Sequence, residues 1–137
     1  MNTKTASLII GVIFIAVGLL GFVDNPIIGE STDAIFHADT THNIVHIVSG
    51  VLFVLIALAA PGSAATFLKV FGAVYLLLGI LGLISIGTQG MGKLLGFLHV
   101  NGADNFLHIA LGLVIFLAGT LRTNTHYSNR QPHAGHR

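Results

Sequence analysis

The 137-residue chain has no cysteine. Disulfides, thiolate chemistry and cysteine-held iron–sulfur clusters are therefore excluded. It has no tryptophan, so an interfacial aromatic belt would rest on nine phenylalanines and Tyr75. Charge is scarce as well. Only 8% of residues are charged, against about 25% in soluble domains. So few charges cannot cover a water-facing surface. The net charge of +1 gives no hold for nucleic acid or a strongly acidic partner.

What is abundant is apolar sequence: 53% of residues are hydrophobic and the mean hydropathy is +0.86. These residues gather in four runs, at about 7–23, 43–60, 64–86 and 105–121. Each approaches the ~17–25 residues a helix needs to cross a bilayer core. Apart from histidines at the mouths of the second and fourth runs, and Lys69, no ionisable side chain interrupts them. Helices also satisfy all their backbone groups internally, as lipid requires. The expected fold is all-α: an integral membrane four-helix bundle spanning residues 1–121, with a polar, disordered tail over 122–137. The first run follows the basic MNTK, as a secretory leader would. No Ala-x-Ala site comes after it, so it is expected to stay as a helix.

Lys4, Lys69, Arg122, Arg130 and Arg137 fall at one end of this arrangement. Asp24, Glu30, Asp33, Asp39, Asp104 and Lys93 fall at the other. The positive-inside rule then places both termini in the cytoplasm and the loops at 24–42 and 87–104 outside. The stretch GMGKLLGFLHV in the second loop is expected as a short interfacial helix covering the outer end of the bundle.

The chain repeats itself. Gly11, Gly18 and Gly21 recur as Gly72, Gly79 and Gly82, sixty-one residues on. Asn43, His46, Ile47 and Gly50 recur as Asn105, His108, Ile109 and Gly112, sixty-two residues on. Two similar helical hairpins follow, each crossing twice and therefore arranged as a parallel repeat about an axis along the membrane normal. The glycines would let the helices approach closely.

The paired N-x-x-H-x-x-x-G openings, the glycine spacing and the GFLHVNGADNFLHIALG stretch resemble a family of small bacterial four-helix membrane proteins, domain of unknown function 4383. The resemblance covers about residues 6–121. It implies the four-helix membrane topology, and the reading as a whole is of a protein of the bacterial inner membrane. It supplies no activity and no site residues.

The duplicated Asn-x-x-His admits several readings. In one, Asn43 and Asn105 cap their helices while His46 and His108 bond outer-loop carbonyls and clamp the loops. In another, His46 and His108 ligate a haem or a divalent metal, with Asn43 and Asn105 orienting them. His37, His42, His99, Asp33, Asp39 and Asp104 share that end, and His42 and His46 have the spacing of paired ligands. Proton or solute translocation lacks acids or bases at mid-bilayer. Hydrolysis lacks a G-x-S-x-G and a placed carboxylate for Ser49. The tail histidines His126, His133 and His136 are expected to be solvated. The sequence thus points to a non-enzymatic structural or interaction protein, or an accessory subunit. Its partners would be the lipid bilayer and possible membrane subunits, with no cofactor. The alternative is a haem- or metal-binding protein.

Overall fold

The computed structural model describes residues 1–122; past Arg122 the tail, with its three histidines, lies outside the described residues. Four helices dominate: α1 (Thr3–Leu20), α2 (Thr40–Ala59), α3 (Ala64–Ser85) and α4 (Gly102–Ala118). Helices α1, α2 and α3, the last extended by a 3-10 turn at Pro61–Ser63, are long and apolar enough to cross a membrane; α4 is shorter at 17 residues.

Burial is inverted relative to a water-soluble bundle. Thr3, Ser7, His42, Asn43, His46, Ser49, Asp104, Asn105 and His108 are buried, while Val12, Val48, Leu58, Val70, Val114 and Leu117 are exposed on the helix exteriors. Such a surface suits lipid rather than water. The apolar centre is a cluster of Phe14, Phe53, Leu68, Tyr75 and Ile115, drawn from all four helices.

Each hairpin is zipped by glycine. A Cβ on Gly11 would lie 2.7 Å from the Gly50 carbonyl oxygen, and one on Gly50 would lie 2.6 Å from that of Gly11. In the other hairpin Gly72 would meet the Gly112 oxygen at 2.7 Å and Gly112 that of Gly72 at 2.8 Å. Gly18 abuts the Asn43 carbonyl oxygen and Gly79 that of Asn105, while Gly21 and Gly82 make room for the Asn43 and Asn105 side chains. The glycine triplet and the Asn and Gly of N-x-x-H-x-x-x-G are thus two sides of one interface, and packing accounts for both. It leaves the histidines unexplained.

Helices α2 and α4 start earlier than their apolar runs. Asp39 caps α2, accepting from the His42 amide at 2.9 Å. Asn101 caps α4 in a reciprocal box with Asp104. Asn43 and Asn105 therefore lie inside their helices and are not the caps expected from sequence.

The loops hold small β elements. Strand β1 (Ile28–Gly29) pairs in parallel with β2 (Phe36–His37). Strands β3 (Met91–Leu94) and β4 (Leu98–Asn101) form an antiparallel hairpin with Lys93 opposite His99. The expected interfacial helix is thus a β-hairpin. Leu95 and Gly96, at φ 53° and 81°, supply the left-handed turn that a helix cannot contain. The hairpin does cover the end of the bundle: Leu94, Leu98 and Val100 pack on Val45, Leu78 and Ile86.

Candidate metal centre at the loop end of the bundle

His42 and His46 stand four apart on α2 and so share a face. His108 reaches the same point from α4, in the other hairpin. Among the described residues, these three form a group whose ligand-capable atoms all lie within 4.8 Å of one another. The ring centroids of His42 lie 4.9 Å from His46 and 5.7 Å from His108. All three are buried, at 4%, 7% and 4% exposure.

Aromatic rings form the floor. Phe14 stacks on His46 at 5.2 Å, and Tyr75 meets His108 edge-on at 5.2 Å. Phe71 stacks beneath Tyr75, and Phe53 and Phe67 continue the column toward the opposite end. These rings close the site against water from below.

The roof comes from the loops. His42 Nδ1 lies 2.8 Å from the His99 carbonyl oxygen in β4, so that nitrogen carries the hydrogen and Nε2 is left as an acceptor. Asp104 Oδ2 accepts from the Asn101 amide at 2.8 Å and from the His37 amide of β2 at 3.1 Å. Asn101 Nδ2 donates to the Ile35 carbonyl at 2.9 Å. The first loop is therefore tied to the start of α4, across the boundary between hairpins. Asn25 organises the rest of that loop, donating to the carbonyls of Leu20, Val23 and Ile28 and accepting from the Ile27 and Ile28 amides.

The loop clamp expected of His46 and His108 is made by His42 instead. The Nδ1 atoms of His46 and His108 are buried and have no hydrogen-bond partner among the described residues. Nor do the asparagines orient them: Asn105 Nδ2 donates to the Gly87 carbonyl at 3.3 Å, and Asn43 packs against Gly21. The sequence therefore named two of the three converging imidazoles, and the spacing of His42 to His46 marked the third.

A cavity of about 20 Å³ borders these rings, lined by His42, Asn43, His46, Asp104 and His108 with apolar neighbours. That is room for about one water or one ion. Outside it, His37 is buried with an unpartnered Nδ1 and meets His99 edge-on at 5.1 Å. Burial, reinforced by the nearby His99, pushes His37 below the ordinary imidazole value and keeps it neutral.

No curated protein and no solved structure matches this chain. A family model does, over residues 4–121, and by that match the chain belongs to the family described as Domain of unknown function (DUF4383).

Proposed function

We propose that this chain is a non-enzymatic multi-pass protein of the bacterial inner membrane whose outer end holds a buried transition-metal ion through His42, His46 and His108. The observation that carries the reading is the pair of buried, unpartnered Nδ1 atoms on His46 and His108 beside a third imidazole. Buried polar atoms without partners are rare, because each costs on the order of 1–3 kcal/mol. Apolar side chains would pack against Phe14 and Tyr75 without that cost. An ion repays it.

Neutral imidazoles suit zinc and copper. Tetrahedral ligands at ~2.0–2.1 Å from zinc stand about 3.3 Å apart. The rings, within 4.8 Å, need to close by an ångström or so. The 20 Å³ cavity favours one ion over a haem macrocycle.

The arrangement across the membrane rests on charge. The basic residues Lys4, Lys69 and Arg122 fall at the end holding the termini, and Asp24, Glu30, Asp33, Asp39 and Asp104 at the other. This supports cytoplasmic termini and an outward-facing site. The position-for-position correspondence of glycine contacts supports two hairpins related by a pseudo-two-fold axis. The apolar helix exteriors would face lipid or neighbouring membrane subunits, which keeps an accessory role compatible with metal binding.

Elemental analysis of the detergent-purified, zinc-loaded protein after a chelator wash tests the reading. Wild type should retain one tightly held equivalent of zinc, and His46→Ala/His108→Ala should retain none. A folded wild type that takes up no metal, or a double variant that keeps it, would contradict the assignment.

A further inference from the structure

A second set of carboxylates and imidazoles lies next to the triad, joined to it by hydrogen bonds of His99 and His37. Glu30, His37, Asp39 and His99 line an open cleft of about 330 Å³. The chain brings them from both loops: Glu30, His37 and Asp39 from the first, His99 from β4 of the second. Two carboxylates and two imidazoles offer two negative charges and two neutral donors. That set neutralises a dication and matches borderline metals such as zinc.

Two details argue that this set is more than a solvated surface. His37 is only 6% exposed, and its Nδ1 has no partner among the described residues. The pair between His99 Nδ1 and Asp39 Oδ2 spans 3.4 Å, longer than the ~2.7–2.9 Å of a strong charge-assisted hydrogen bond. The His99 ring and Asp39 Oδ2 can therefore meet an ion at little cost while Asp39 Oδ1 keeps its cap on α2. Lys93 stands opposite His99 in the hairpin register but makes no ion pair with either carboxylate among the described residues.

The cleft and the inner cavity share a wall. His99 lines the cleft, and its carbonyl oxygen holds His42 of the triad. His37 lines the cleft, and its amide bonds Asp104, which lines the inner cavity.

We propose that Glu30, His37, Asp39 and His99 form a second, surface site for a divalent transition-metal cation, which captures the ion and passes it to the buried triad. The transfer, though not the capture, rests on the metal reading of His42, His46 and His108. Negative clefts concentrate cations and raise their association rates by about tenfold or more.

The test is a calorimetric titration of Zn²⁺ into metal-free full-length protein in detergent, with stopped-flow loading. Glu30→Gln/His99→Gln removes two cleft donors and keeps the His99 carbonyl that holds His42. Glu30→Gln alone, at an exposed loop position, is the variant least able to disturb folding, and should weaken the outer equivalent by itself. Wild type should bind two equivalents. The cleft double variant should bind one, and load the inner site about tenfold more slowly. His46→Ala/His108→Ala should also bind one. A cleft variant that still binds two equivalents, or a wild type whose single equivalent is lost only in His46→Ala/His108→Ala, overturns the outer site. A single equivalent lost only in the cleft variant leaves capture standing and removes the inner site. Equal loading rates with two bound equivalents overturn the transfer.

Discussion

Replacing Gly72 with alanine tests the packing argument where backbone meets backbone. The new Cβ would lie 2.7 Å from the Gly112 carbonyl oxygen and 2.8 Å from Phe116 Cα. Both are backbone atoms, so no rotamer change relieves the contact. Helices α3 and α4 must move apart by roughly 0.7–1 Å to reach an ordinary van der Waals separation. Overpacking of this kind costs about 1–3 kcal/mol. Because backbone meets backbone, the cost belongs in the upper half of that range; alanine returns about 1 kcal/mol in helix propensity, so the net loss should be about 1–2 kcal/mol. The displaced α4 also carries His108, so metal affinity should fall together with stability. Gly62→Ala is the control, because a Cβ there meets nothing within 4 Å. Thermal unfolding in detergent, followed by circular dichroism, reads the difference. A Gly72→Ala protein as stable as wild type, or more so, would refute the close-approach argument.

Three further outcomes follow from the loops. Leu95 is 61% exposed with φ 53°, and a non-glycine residue in that region costs about 1–2 kcal/mol; Leu95→Gly should therefore raise the melting temperature, and a lowered one would show that its side chain packs on something. Asn101→Ala removes the α4 cap and the bond to Ile35, which together amount to roughly 1–3 kcal/mol; amide exchange at Ile35–His37 should speed up, and unchanged exchange would count against the tie between loops. Burial holds His37 below the ordinary imidazole value of 6.5, so the unfolded chain binds more protons than the native one as pH drops below about 6.5. Stability should then fall on acidification through that range, and less steeply in His37→Gln; parallel slopes for the two proteins would contradict the shift.

The sequence showed the helices plainly because lipid leaves so few alternatives: a long apolar run with Gly11 and Gly18 on one face can only be a closely packed span. It showed half of the glycine interface. Gly50 and Gly112 stood in view inside the histidine motif, but nothing in one dimension says that Gly50 will oppose Gly11. The β3–β4 hairpin was hidden because its turn is Leu95–Gly96 rather than the Asn-Gly that signals such turns, and because its apolar residues also fit a short helix. Capping was misplaced by one turn: Asp39 and Asn101 precede the apolar runs, so a reading keyed to hydropathy starts too late. The triad needed His42 of one hairpin to meet His108 of the other, which depends on how the two hairpins are rotated against each other. No local pattern encodes that rotation.

The most direct measurement is zinc K-edge X-ray absorption on the Glu30→Gln/His99→Gln protein loaded with one equivalent of Zn²⁺. The account predicts a four-coordinate ion with nitrogen and oxygen ligands at about 2.0–2.1 Å, and outer-shell scattering from three imidazoles. A hydrated, oxygen-only shell, or one whose imidazole scattering survives His46→Ala/His108→Ala, would contradict it.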